Sequence, residues 1–507
     1  MTRAACLMVQ GTSSGVGKSL LAAAFCRLFA RAGWRVAPFK AQNMSLNAAV
    51  TADGGEIGRA QAAQAEAAGV EPSVDMNPIL LKPEGDDRSQ LVVRGRAIAR
   101  VSFAEYRARQ PALAPILAES LARLRAAADV VIIEGAGSPA EINLRDADLV
   151  NMHVARLADA PVLLVSDIDR GGVFAALVGT LALLAAEDRA RVAGLIINRL
   201  RGDAALLAPG LVELRALTGV PVLGVVPWIP ERLVPAEDSL DLAEMASEPP
   251  APLIDIAVVR LPRIANFDDF EWLADEPGVR VRWVTTPAAL ADVDLIVLPG
   301  SKSTLADLAW MRERGLAQAV EVAAAHGRAV LGVCGGYQML GRALHDPEGV
   351  ESAIATAPGL GLLPVQTTFS ATKTTVRVRA RARGVTGPFA VAGECEAYEI
   401  HAGVTRLLVP TAARPFAILA RGGVPTDDLD GATVADGAVT GTYLHGLFAS
   451  GAMRKSLLTW LAARAERPAH DGWGEAGARP RRWDRLADIV AASVDLAAIG
   501  KLVGRPL

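Results

Sequence analysis

Short β-branched apolar runs alternate with longer alanine- and leucine-rich stretches through the first 230 residues, the pattern of buried strands joined by crossover helices in a parallel sheet. The runs Ala4 to Gln10, Arg35 to Phe39, Val130 to Ile133, Val162 to Ser166, Leu195 to Ile197 and Val222 to Val226 predict its strands. The pattern halts at Glu248-Pro-Pro-Ala-Pro252, which can continue neither a helix nor a central strand. It restarts with runs at Ile254 to Val259, Val279 to Val284, Leu295 to Leu298 and Val330 to Val333, so a second α/β domain is expected beyond a boundary between 235 and 252. This gives a two-domain α/β chain, divided into 1–240, 252–460 and a C-terminal loop and packing helix over 461–507. Within that last piece, the Gly-, Pro- and Arg-rich residues 465–482 predict a surface excursion, and Trp483 to Val503 returns to helical periodicity. The longest apolar run, Val173 to Ala186, is shorter than the roughly 20 residues a membrane span needs and reads as a buried crossover helix.

Composition narrows the partners. A chain of 507 residues with 51% hydrophobic residues exceeds one hydrophobic core. Its 52 basic and 55 acidic residues leave no large electrostatic footprint for nucleic acid or an anionic membrane, so a charged ligand needs a local site. Four scattered cysteines, Cys6, Cys26, Cys334 and Cys395, form neither a disulfide framework nor a metal-ligand spacing. With no charged start or cleavage-site pattern at the N-terminus, a reducing cytoplasm is the expected location.

Gly11-Thr-Ser-Ser-Gly-Val-Gly-Lys18-Ser19 follows the first strand and precedes an amphipathic helix, the context in which backbone N–H groups cradle phosphates. Lys18 would neutralise terminal phosphate oxygens, and the Ser19 hydroxyl would sit on Mg²⁺. The glycine at position 11 stands one place earlier than the usual spacing, as in the longer loop of the dethiobiotin synthetase type. A carboxylate is needed where a later strand ends beside this loop, and Glu134 in Val-Val-Ile-Ile-Glu-Gly-Ala-Gly137 meets that condition. Asp53, in Thr-Ala-Asp-Gly-Gly55, is a second metal candidate or a turn residue capping the next helix. Asp167-Ile-Asp169-Arg-Gly-Gly172 could line a phosphate or acceptor site or simply cap a helix, and Asn198 could bond a nucleotide base or cap a strand end.

In Val330-Leu-Gly-Val-Cys334-Gly-Gly-Tyr, a cysteine lies between an apolar strand and a helix start, with small residues on both sides. That is the pattern of a nucleophile elbow, where glycines permit a sharp turn and the helix N-terminus favours thiolate. His445 in Gly441-Thr-Tyr-Leu-His-Gly446 is the candidate base, with His401 as rival. Leu298-Pro-Gly-Ser-Lys-Ser-Thr304 could supply backbone donors for an oxyanion or be an ordinary turn.

Taken in order, these motifs resemble the cobyric acid synthases, glutamine amidotransferases of cobalamin biosynthesis, over essentially the whole chain. The resemblance rests on Gly11 to Ser19, Pro38-Phe-Lys-Ala-Gln-Asn-Met-Ser-Leu-Asn47, Ile133 to Gly137, Asp167 to Phe174, Ile196 to Asp203, Leu261-Pro-Arg-Ile-Ala-Asn-Phe267, the Cys334 elbow, Tyr398-Glu-Ile-His401 and Tyr443-Leu-His445. Ala41-Gln-Asn43 separates the chain from the sister cobyrinic acid a,c-diamide synthases, whose counterpart looks like Lys-x-Gly-Pro-Asp.

The resemblance implies an N-terminal dethiobiotin synthetase-like P-loop domain and a C-terminal class I glutamine amidotransferase-like domain. It implies that ATP activates the b, d, e and g carboxylates of adenosylcobyrinic acid a,c-diamide, and that ammonia from glutamine converts each to an amide. Cys334 and His445 then match the catalytic pair. Gly11, Thr12, Ser14, Gly15, Gly17, Lys18, Ser19 and Asn198 match the nucleotide site, and Ser19, Asp53 and Glu134 the Mg²⁺ ligands. Lys40, Gln42, Asn43, Asn47, Asp169 and Arg170 are candidate contacts for the corrinoid polycarboxylate. The wider amidotransferase class places a glutamate two residues beyond the histidine, where this chain has Leu447, so a Cys-His dyad is implied and Glu399 is a candidate to orient the imidazole.

The expected partners are small molecules, with a homo-oligomer allowed. Competing readings are an amidoligase of the same architecture acting on another polycarboxylate, a non-catalytic nitrogen sensor, and a partitioning-type P-loop ATPase. The last would carry a second P-loop lysine where this chain has Ser13 and would leave the Cys334 elbow unused.

Overall fold

The computed structural model describes residues 3–84, 87–229, 233–234, 252–352, 354–384, 387–475 and 478–507. Glu248 to Ala251 of the expected linker lie outside them. The chain forms two compact units that are not contiguous in sequence. Unit 1 comprises Met1–Ser45, Ile57–Pro235 and Gly477–Leu507, and unit 2 comprises Leu46–Glu56 and Ala236–Ala476. The segment 46–56 therefore belongs with the C-terminal half of the chain, and the final helices belong with the N-terminal half.

In unit 1 the six predicted runs form one parallel sheet: β1 (Ala5–Gly11), β2 (Val36–Phe39), β3 (Val130–Glu134), β4 (Val162–Asp167), β5 (Val192–Leu200) and β6 (Val222–Pro227). Their order is β6-β5-β4-β1-β3-β2. The interior residues of β1, β3 and β4 are buried on both faces, which is why these segments read as continuous apolar runs rather than alternating ones. β1 lies between β3 and β4, and the crevice at the carboxyl ends of such a group is where ligands enter open α/β sheets.

Three expectations need adjustment. Residues Gln42–Met44, Ile79–Pro83, Arg88–Val93 and Arg96–Ser102 build a four-stranded sheet that the pattern of apolar runs does not reveal. The run from Val173 forms a helix over Val173–Leu183, but only one face is covered, with Leu183 46% exposed. The C-terminal helix Ala478–Ala491 packs on Lys18–Arg31 within unit 1, with Trp483 buried and Arg27 Nε donating to Asp484 at 2.8 Å.

Unit 2 contains β7 (Ile254–Val259), β8 (Val279–Val284), β9 (Leu295–Leu298), β10 (Ala329–Val333), a long antiparallel pair β11 (Val365–Ala382) and β12 (Glu394–Leu407), then β13 (Ala432–Val434) and β14 (Val439–Thr442). The main sheet runs β8-β7-β9-β10-β14-β13, parallel except for β13 against β14. Residues 465–475 are mostly exposed, as the composition suggests, but Trp473 is buried and donates Nε1–H to the Pro277 carbonyl at 2.9 Å.

Beside that anchor, Glu276 forms a buried ion pair with Arg454 and accepts the Gly474 amide at 3.0 Å. The same guanidinium donates to the Phe448 carbonyl at 2.7 Å, so removing the carboxylate strands a buried cation. Among the described residues no helix is long and apolar enough to cross a membrane, and the four cysteines are buried free thiols. Glu276→Ala is expected to destabilise unit 2 by about 3–5 kcal/mol. Urea unfolding followed by tryptophan fluorescence checks this, and a midpoint equal to the parent's would show that the pair is dispensable.

Candidate active site

Cys334 follows β10 directly and takes φ 53°, ψ −108°, a left-handed turn that reverses the chain into the helix Gly335–Leu340. The turn is possible because its neighbours are glycines. A Cβ on Gly336 would lie 1.9 Å from the Leu298 carbonyl oxygen, and one on Gly335 would lie 2.8 Å from the Ser301 amide nitrogen. The 298–304 turn therefore presses directly on the elbow, with the Ser301 amide nitrogen beside the start of the helix. Gln338, one turn on, is clamped: Nε2 donates to the Ala402 carbonyl at 3.0 Å, and Thr304 Oγ1 lies 3.0 Å from Oε1. Cys334 Sγ lies 3.4 Å from the Ile400 carbonyl oxygen on β12.

His445 follows β14 and is 2% exposed. Its backbone exchanges both hydrogen bonds with Tyr398, and the two rings stack at 5.3 Å with an interplanar angle of 18°. Its Nδ1–H donates to Asp269 Oδ2 at 2.7 Å, and the other oxygen of the same carboxylate accepts the Gly446 amide at 2.7 Å. Burial presses the imidazole toward neutrality, but the charges of Asp269 and Cys334, with a hydrogen bond to each, outweigh it and raise the group to about 10. Cys334 and His445 are thus brought together.

The rival His401 is occupied elsewhere. Its Nδ1–H donates to the Gly403 carbonyl at 3.2 Å and its ring stacks on Tyr443 at 3.8 Å, while burial pushes it down to about 4 and keeps it neutral. Glu399, the sequence candidate for orienting the imidazole, is instead held by Arg421 at 3.0 and 3.2 Å. The acid that does reach His445 is Asp269, which no spacing in the sequence marks: it stands 176 residues away, in a short 3₁₀ turn, Phe267–Phe270. The nearest signal is the Leu261 to Phe267 motif just before it.

In unit 1 the loop Gly11–Ser19 leaves β1 with Gly15 and Gly17 at φ 74° and 99°. Lys18 Nζ donates to the Ser13 and Gly137 carbonyls at 2.9 and 3.1 Å, arching over the loop. Asn198, at the end of β5, donates Nδ2–H to the Val16 carbonyl at 2.8 Å and sits so close beneath Gly17 that any side chain there would collide with it. It braces the loop from below. Thr12 pairs with Ser166 at 2.8 Å, and Ser14 is exposed at the tip.

Glu134, buried at the end of β3, gathers Ser19 Oγ at 2.8 Å, Lys40 Nζ at 2.8 Å and Gln64 Nε2 at 2.5 Å. A hydroxyl, a carboxylate and a glycine loop meet here, a donor set that suits a hard divalent cation bridging phosphates. Asp53 belongs to unit 2, where it accepts from Thr51 within its own turn.

The remaining candidates divide in the same way. Asn43 donates to Gln61 at 3.1 Å, and Gln42 accepts from Tyr106. Asp169 pairs with Arg201 at 2.6 Å, and Arg170, largely exposed, lies near Gly15. Asn47 is buried in unit 2, where its Oδ1 accepts the Phe267 amide at 3.4 Å.

Comparison with known proteins accords with this division. Residues 255–453 match the CobB/CobQ-like glutamine amidotransferase domain, and residues 7–238 match the CobQ/CobB/MinD/ParA nucleotide binding domain. Cobyric acid synthase of Sorangium cellulosum (strain So ce56) is 56% identical over 512 residues, covering 98% of each chain. Cobyric acid synthase of Dehalococcoides mccartyi (strain ATCC BAA-2266 / KCTC 15142 / 195) is 49% identical over 496 residues, covering 97% of each. That of Pelotomaculum thermopropionicum is 49% identical over 512 residues, covering 99% of this chain and 97% of the relative. With similarity of this level running end to end, the chain belongs to the cobyric acid synthase family of glutamine-dependent ligases.

Proposed function

We propose that the chain amidates the b, d, e and g carboxylates of adenosylcobyrinic acid a,c-diamide, activating each with ATP and drawing ammonia from glutamine at Cys334 and His445. The observation that carries this reading is the presence, in one chain, of a strained cysteine elbow meeting a buried histidine and of a phosphate loop meeting a buried carboxylate. The segment Lys40 to Asn47 supports the substrate assignment, because it differs from the stretch expected of the diamide-forming sister enzymes.

At the nitrogen site, His445 Nε2 carries the proton given up by Cys334 and the sulfur attacks the glutamine amide carbon. The same proton passes to the amide nitrogen as the C–N bond breaks, releasing ammonia and leaving a glutamyl thioester. Water then cleaves the thioester, with His445 accepting its proton and returning one to sulfur. The Gly335 amide and the Ser301 amide beside it are the proposed donors to the oxyanion.

At the phosphate site, the amides of Gly11 to Ser19 hold the nucleotide and Lys18 faces the charge that shifts as the γ-phosphoryl group moves to a substrate carboxylate oxygen. Ser19 and Glu134 would hold Mg²⁺, which supplies positive charge to the phosphate oxygens. Ammonia attacks the resulting acyl phosphate carbon and inorganic phosphate leaves. Lys40 pairs with Glu134 at 2.8 Å, which holds that carboxylate in place.

Cys334→Ala is expected to lower glutamine-dependent amidation by ~10³-fold or more while leaving ammonium-dependent amidation near the parent rate. Lys18→Ala is expected to slow both by about 10²–10³-fold. Corrinoid mass and glutamate release, followed together with each nitrogen source, check both expectations. A Cys334→Ala protein that still uses glutamine would contradict the assignment of the nitrogen site, and glutamate release with an unaltered corrinoid would contradict the substrate.

A further inference from the structure

We infer that Asp269 is the positioning residue of the glutamine site, supplying from the turn after β7 the carboxylate that the chain lacks two residues beyond its histidine. This rests on the assignment of Cys334 and His445 as nucleophile and base.

The geometry is that of an orienting acid. Both carboxylate oxygens are used, one on His445 Nδ1 and one on the Gly446 amide, each at 2.7 Å, so the carboxylate fixes the imidazole plane relative to its own backbone. A proton held on Nδ1 leaves Nε2 to exchange protons with Cys334. The position that would ordinarily provide the acid cannot do so, because Leu447 is buried in the apolar core of unit 2. The ring has little freedom otherwise: Tyr398 stacks on it, and a Cβ on Gly300 would come within 3.1 Å of its Cε1.

Asp269 is itself held in place. Phe267 and Phe270 are buried and set edge-on to Trp283 at 6.0 and 6.3 Å, fixing both ends of the turn. Asn266 enters the turn at φ 53°, a conformation asparagine tolerates better than most residues. Its Oδ1 accepts the Ala48 amide at 3.0 Å, while the Asn47 side chain accepts the Phe267 amide at 3.4 Å. The segment 46–48 thus straps down the turn that aims Asp269, which gives buried Asn47 a structural place in unit 2.

A buried Asp–His pair serving the fold alone would not need its far nitrogen directed at a cysteine on a strained elbow. The ionisable groups around His445 are Asp269, Cys334, Tyr398 and, more distantly, His401. Asp269 and Cys334 both favour its protonated form. Removing the Asp269 charge therefore leaves burial less opposed, and the His445 titration moves to lower pH.

The test uses the full-length protein carrying Asp269→Asn or Asp269→Glu. Glutaminase kcat and KM, ammonium-dependent amidation, and the titration of isotope-labelled His445 by NMR are measured for each. Asp269→Asn is expected to lower glutaminase kcat at least ~100-fold with KM for glutamine within about threefold. It should also shift the His445 titration to lower pH and leave ammonium-dependent amidation in place, with Asp269→Glu recovering part of the rate. The proposal is overturned if Asp269→Asn keeps its glutaminase rate, or if it loses both activities while the His445 titration stays where it was. Retention of glutaminase by His445→Ala would instead defeat the underlying assignment of the base, a separate outcome.

Discussion

A charge taken out of water must be met by another charge or by hydrogen-bond donors, and the working parts of this chain are built around that constraint. In unit 2 the buried imidazole of His445 is set between the Asp269 carboxylate and the Cys334 thiol. In unit 1 the buried Glu134 carboxylate is met by Lys40, Ser19 and Gln64. Each arrangement fixes the direction of a group to which the proposed function gives a role, proton transfer in the first case and holding a cation in the second. A solvated histidine or glutamate could take many orientations, and at these two sites the surroundings leave few.

The two sites also share a backbone logic. Each lies where a parallel strand ends and the chain turns into a helix, β1 into Lys18–Arg31 and β10 into Gly335–Leu340, and each turn depends on glycines that no other residue could replace without collision. The carboxylate or histidine that completes the site comes from the end of a neighbouring strand, Glu134 from β3 and His445 just beyond β14. The sheet thus fixes distances that the flexible loops alone could not.

Much of this was legible in the sequence because strands buried on both faces read as unbroken apolar runs. All six strands of the unit 1 sheet and four of the six in the main sheet of unit 2 coincide with runs read from the sequence, although Val279–Val284 alternates, and the loop at Gly11, Glu134, the Cys334 elbow and His445 stand at or just beyond strand ends. What escaped has a common cause. The β11–β12 pair and the strands Arg88–Val93 and Arg96–Ser102 are largely open on one side, so their apolar residues are interrupted by Arg, Thr and Gln, while the buried Ile79–Lys82 beside them is only four residues long. Asp269 sits in a short turn with no periodic signal, and its relation to His445 is purely spatial. The segment 46–56 and the helices after 477 each pack with the unit that is remote from them in sequence, which no composition boundary records. Trp473, in a stretch whose glycines and prolines suggest open loop, is the anchor that holds that stretch to the core.

The most direct test of the account is to let the protein react with an electrophilic glutamine analogue at neutral pH and to map the modified peptide by mass spectrometry. All four cysteines are buried, but only Cys334 stands at a strained elbow beside a histidine held by a carboxylate. The account predicts a single adduct, on Cys334, whose formation is suppressed by excess glutamine. Modification of Cys6, Cys26 or Cys395 in its place, or labelling of Cys334 that glutamine does not suppress, would contradict it.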